Sequence, residues 1–200
     1  MTGWWVMALI SLNNTPPTLA PPHKQQLLQL AGESIKKGLC GDTLAVRAAD
    51  FPEPLRALRA TFVTLHVEAQ LRGCIGMLEA RRTLVEDVVS NAWSAAFRDP
   101  RFSALTWLEY ERLDVHISVL SPPEPVEFSS EEDLLAQLRP RVDGLIIEEG
   151  FSRGTFLPSV WEQLPDPREF LRQLKRKAGL HPDYWSGRIR VQRYTTESIP

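Results

Sequence analysis

A guanidinium, a thiol and two glycines share the five positions Arg72-Gly73-Cys74-Ile75-Gly76. A thiol acts as a nucleophile or a redox group when its thiolate is favoured, and a neighbouring cation favours it. The stretch Leu71–Gly76 follows Thr61–Val67, rich in β-branched and apolar residues, after a polar break at Glu68-Ala69-Gln70. Two such runs joined by a few polar residues read as a β-hairpin. Strand alternation then puts Arg72, Cys74 and Gly76 on one face and Leu71, Gly73 and Ile75 on the other. Glycine weakens a strand and marks places where a backbone or a ligand comes close. Gly73 and Gly76 are expected at such places.

Other candidates lie outside this run. His116 falls in the run Leu113–Leu120, with Asp114 and Ser118 on the same face, which makes it the best-placed base for Cys74 among the four histidines. Asn91 is an amide on an otherwise apolar helix stripe and must find partners if buried. Asp99 and Arg101 flank Pro100. They could brace a loop, or the planar fork of Arg101 could meet a carboxylate or phosphate. No closely spaced Cys and His ligands of the kind zinc sites use are present, so we expect no metal site and no cofactor. The GxxxxGK[ST] run of a phosphate loop is missing. A net charge of −2, with no basic face bearing aromatics, gives no reason to expect nucleic acid as a partner.

The elements that must position these groups follow from patterning. Apolar residues recur at helical spacing over 24–39, with Gly38 and Gly41 at the stop. Cys40, in that stop, is expected as a small buried residue. A second helix opens at Thr83, with Glu86 three residues on as a capping box, and Asp99-Pro100 ends it. Leu113, Val115, Ile117 and Val119 face one way along the clearest strand, and Asp114, His116, Ser118 and Leu120 the other. A helix capped by Ser129 runs through Leu138, a strand covers Leu145–Ile147, and helices cover Ser159–Leu164 and Arg168–Ala178. The last strand covers about 188–194. Strands grouped in hairpins rather than in βαβ alternation indicate an antiparallel α+β fold. Two cysteines with no CxxC pair suit a cytosolic protein with reduced thiols. The apolar run Trp4–Ile10 is too short to span a bilayer and, with the prolines at 16, 17, 21 and 22, reads as a tail. We expect a tail over 1–23, a domain over 24–196 and a short tail over 197–200.

Leu71-Arg72-Gly73-Cys74-Ile75-Gly76, preceded by Phe62-Val63-Thr64-Leu65, resembles the signature of the AMMECR-type domain, also known as AmmeMemoRadiSam system protein A. Ordered matches continue at Asn91-Ala92, Ala95-Ala96-Phe97, Asp99-Pro100-Arg101-Phe102, Ile117–Pro123, Val142–Leu145, Phe156-Leu157-Pro158 and Lys177-Ala178-Gly179-Leu180. The resemblance implies two subdomains, each an antiparallel sheet with helices, the larger built from both chain ends and the LRGCIG strand facing the cleft between them. It also implies association with a MEMO-like protein and a radical SAM enzyme, and no settled reaction. We expect the cleft to hold Arg72, Gly73, Cys74, Gly76, Asn91, Asp99, Arg101, His116 and Ser118. The chain would then be a cytoplasmic accessory or binding component, or alternatively an enzyme using Cys74, with Arg72 beside it, as nucleophile or redox thiol.

Overall fold

The computed structural model describes residues 18–200. In chain order the elements are α1 (Pro21–Leu39), α2 (Glu53–Arg56), β1 (Thr61–Val67), β2 (Gln70–Gly76), α3 (Leu84–Phe97), α4 (Trp107–Tyr110), β3 (Leu113–Leu120), β4 (Glu124–Pro125), α5 (Glu131–Gln137), β5 (Gly144–Glu149), β6 (Ser152–Phe156), α6 (Pro167–Lys177), β7 (Arg190–Tyr194) and β8 (Thr196–Ile199). They make two four-stranded antiparallel sheets, ordered β2-β1-β3-β8 and β4-β7-β5-β6. The fold is α+β, as the hairpin grouping predicts.

In the larger unit one sheet face is apolar. Val63 and Leu65 of β1 and Ile117 and Val119 of β3 are fully buried against Ala31 and Ile35 of α1 and Val88, Ala92 and Ala95 of α3. The expected capping box at Thr83 and Glu86 starts α3. The smaller unit packs α5 and α6 on the second sheet around Leu145, Ile147 and Val191, with Trp161 stacked on Phe170 at 3.7 Å. A third apolar cluster of Ala60, Leu120, Ile146 and Tyr194, with Phe62, Leu78 and Leu157 beside it, joins the two units. Burial at this joint pushes the Tyr194 phenol up to about 12, and its hydroxyl donates to the Phe156 carbonyl at 3.0 Å.

Both expected boundaries shift outward. Residues 197–200 are no tail: Thr196–Ile199 pairs with β3 as the fourth strand of the larger sheet, and Ile199 is buried. At the other end Leu19 is buried, and its N–H donates to the Glu197 carboxylate at 3.0 Å. Residues 1–17 of the expected N-terminal tail lie outside the described residues. Cys40 is exposed rather than buried, because α1 ends there in a turn on the surface. Leu120 faces the joint between the units. Ser130, not Ser129, caps α5.

Two glycines set the spacing of the larger unit. A Cβ on Gly73 would overlap the carbonyl oxygen of Ala95 in α3, and one on Gly76 would overlap the Thr61 carbonyl oxygen and the Phe62 ring. The obstacle at Gly73 is backbone and has little room to give. Gly73→Ala should therefore lower unfolding free energy in urea by about 2–3 kcal/mol, the upper range for overpacking. Met77→Leu on the same hairpin should cost under ~1.5 kcal/mol. An unchanged denaturation midpoint for Gly73→Ala would refute the close approach.

Candidate functional site

On the sheet face turned away from α1 and α3, the direct cross-strand pairs Cys74–Thr64 and Thr64–His116 line up across β2, β1 and β3. Cys74 is half-buried, and its Sγ lies 3.2 Å from the Thr64 hydroxyl. β2 is an edge strand, so its outward amides need partners. Asp99, at the turn after α3, supplies one: its Oδ2 accepts the Cys74 N–H at 2.9 Å. Arg101 holds the same carboxylate from the other side, with Nη2 2.7 Å from Oδ2 and Nε 3.0 Å from Oδ1. The Arg101 guanidinium beside it holds the Asp99 carboxyl well below the usual carboxylate range.

Arg72 has a different role from the one strand alternation suggests. The β1–β2 register shifts so that Leu65 faces Gly73 while His66 faces Leu71, which leaves Arg72 as the extra residue of a bulge. A bulge re-aims the side chain it carries. Arg72 turns to the segment after α3: Nε donates to Glu109 at 2.6 Å and Nη2 to the Ser103 carbonyl at 2.9 Å. It is nearly buried, and with Arg101 it flanks the Phe102 ring. Its charge is thus answered by Glu109, whose carboxyl is lowered to about 2 chiefly by that hydrogen bond.

Charge on Cys74 would favour the protonated forms of Arg101 and Lys177. Lys177 comes from the last turn of α6, over the Phe156 ring, and burial lowers its pKa. Composition alone reads Lys175-Arg176-Lys177 as a solvated helix end. The only signal for Lys177 was its place in a sequence block of the resemblance. Among the described residues no imidazole is bonded to the Cys74 thiol. His116 instead meets Asp114, Nε2 to Oδ2 at 2.7 Å, and the His66 ring stands perpendicular to it with centroids 5.3 Å apart. His66, Asp114 and His116 are the one group among the described residues with donor atoms close enough to share a metal ion.

Further along the same face, Gly76 lines a cavity of about 440 Å³ between the units with Phe62, Leu78, Arg153 and Thr155. Ser118 lines another of about 550 Å³ with Ser198, Leu157 and Glu162. Asn91, expected in the cleft, lies behind the sheet. It is buried on α3, where its Nδ2 donates to the Thr61 carbonyl at 3.1 Å and to Asp87 at 2.9 Å. Gly73 likewise faces α3.

Two antiparallel α+β units joined along an apolar seam, with the LRGCIG strand at the edge of the larger sheet, define the class of this protein. The chain belongs to the AMMECR1 family, which it matches over residues 28–199. It is 39% identical to a protein of Methanothermobacter thermautotrophicus over 90% of this chain and 94% of the relative. It is 40% identical to one of Thermotoga maritima over 73% and 80%. The crystal structure of an uncharacterized protein from Pyrococcus horikoshii superposes with a TM-score of 0.83 at 34% identity, covering 90% of this chain and 92% of that one.

The Arg72–Glu109 pair carries a pH signature. Glu109 titrates at about 2 in the folded chain against 4.5 ordinarily. The unfolded chain therefore binds more protons over that interval, and stability falls as pH drops from 4.5 toward 2. Glu109→Gln should flatten that part of the stability–pH curve and cost about 2–3 kcal/mol at neutral pH, both read by urea unfolding at stepped pH. An acid limb identical to wild type would remove the pair from the account.

Proposed function

We propose that this chain is an accessory binding component, working in the cytoplasm with a MEMO-like protein and a radical SAM enzyme. In this reading the cleft beside Cys74 receives a substrate or a partner segment. The observation that carries it is the half-exposed Arg101, fixed by the same Asp99 carboxylate that takes the Cys74 N–H, beside a thiol with no base bonded to it. A guanidinium held there with its outer half exposed, with Lys177 on the neighbouring unit, suits recognition of an anionic group, such as a carboxylate or a phosphate. A nucleophilic cysteine also wants a general base within hydrogen-bond reach. The histidine best placed by sequence, His116, is two strands away and engaged with Asp114. No helix among the described residues is long and apolar enough to cross a membrane.

The second reading is an enzyme that uses Cys74, a free and half-buried thiol, as nucleophile or redox group. The two part on substitution. In the binding reading, Cys74→Ser should retain affinity for the two partner proteins to within roughly tenfold, about 1.4 kcal/mol. Arg101→Ala and Lys177→Ala should each lose more than that, measured by calorimetry with the purified partners. Full partner affinity in all three variants, together with loss of pathway function in cells for Cys74→Ser alone, would overturn the binding reading in favour of the thiol.

A further inference from the structure

We propose that His66, Asp114 and His116 form a binding site for a divalent transition-metal ion, with zinc the best match, on the open face of the larger sheet. Their donor atoms lie within 4.8 Å of one another. A tetrahedral zinc with bonds of about 2.0–2.2 Å holds its donors about 3.3 Å apart. The His116–Asp114 contact of 2.7 Å is already inside that spacing, and the other donor separations, none above 4.8 Å, must close by side-chain rotation when an ion binds. The backbone beneath is fixed: His66 and Asp114 are a direct antiparallel pair, and His116 sits one pleat along β3, opposite Thr64. Residues two apart on a strand share a face, so all three side chains stand on the same side of one β-ladder.

The donor set points to the class of ion. Two imidazoles and one carboxylate suit zinc and other borderline first-row divalent ions better than the all-oxygen preference of magnesium or calcium. Three protein ligands leave a fourth position open to water or to an oxygen donor, the pattern of zinc sites that do more than hold a fold. The neighbouring cation Arg112 is paired with Glu68 across the hairpin end, so its charge is answered beside the site. Asp114 and His116 are accessible, which gives an ion a way in. Closely spaced ligands, the usual sequence signal, are missing because His66 and the Asp114-x-His116 pair meet only through β1–β3 pairing. The proposed ion would stand on the same sheet face as Cys74, with one strand between their ladders. The proposal is independent of the partner reading.

The test uses the full chain stripped with a chelator, then titrated with Zn²⁺ by calorimetry and with Co²⁺ by visible absorption. We expect one equivalent of each to bind, Zn²⁺ to raise the melting temperature by mass action, and the Co²⁺ spectrum to lack a thiolate charge-transfer band. His66→Ala and His116→Ala should each weaken Zn²⁺ binding at least tenfold, Asp114→Asn should weaken it while keeping shape, and Cys74→Ser should leave it unchanged. No saturable binding by wild type would overturn the proposal. So would binding that persists in the His66→Ala and His116→Ala double variant, or a thiolate band in the Co²⁺ spectrum of wild type. Because that spectrum is read on wild-type protein, a variant that fails to fold cannot shield the idea. Loss of Zn²⁺ binding in the triad variants with unchanged partner affinity would leave the cleft reading standing by itself.

Discussion

Everything around Cys74 depends on how closely α3 lies against β2, and that distance is set where Gly73 meets the carbonyl of Ala95. With no side chain at 73, the helix settles onto the edge of the sheet. Asp99, a few residues beyond Ala95, then arrives level with Cys74 and can take its outward N–H. Arg101 follows, held by the same carboxylate with its outer half exposed. Push the helix outward by the width of a methyl group and the amide loses its acceptor while Arg101 loses its anchor. Glycine is required here for approach, since nothing about its backbone conformation is unusual.

A second strap works beside the first. The bulge at Arg72 sends a guanidinium into the 103–109 segment, where Glu109 serves at once as its ion partner and as part of the capping box that starts α4. Buried ion pairs contribute modestly to stability overall, yet breaking one leaves an unanswered charge and is costly. Such an arrangement fixes geometry more than it adds stability. Its product is a braced rim on the edge strand that carries the thiol, made by Asp99 and Glu109 reaching back from the segment between the end of α3 and α4. On the far side of the sheet, Asn91 and Asp87 do the equivalent for Thr61, with Asp87 raised by burial despite three hydrogen bonds.

Much of this was readable from the residues, and the failures have physical causes. The hairpin, the α3 capping box and the β3 alternation are local patterns, and each stands where patterning puts it. Arg72 departs from simple alternation because alternation assumes an unbroken ladder, and nothing in Leu71-Arg72-Gly73 announces a bulge. Asn91 sits on the apolar stripe of its helix, and that stripe faces the sheet rather than the cleft; a buried amide was expected to need partners, but which side it served depended on tertiary packing. Lys177 hid among neighbouring basic residues, since one-dimensional charge cannot tell a solvated lysine from one drawn over an aromatic ring. His66 and Asp114 came together through strand pairing across almost fifty positions of chain. The C-terminal strand is illegible in the sequence because Thr196-Glu197-Ser198 is polar, although Ile199 beyond it is buried.

That last strand has a consequence for how the chain is made. Glu197 ties the Leu19 amide and the Lys24 ammonium to β8, and among the described residues β8 is the strand that covers the outer side of β3. Roughly 75 residues separate the end of β3 from the start of β8, and they encode a unit whose strands all pair among themselves. At about 5–20 residues per second of synthesis, the nascent larger sheet waits several seconds with an apolar strand edge open to any other chain that offers one. Delivery of β8 then covers the outer side of β3 and leaves the polar run Thr196-Glu197-Ser198, in place of the apolar β3, as the edge the sheet presents.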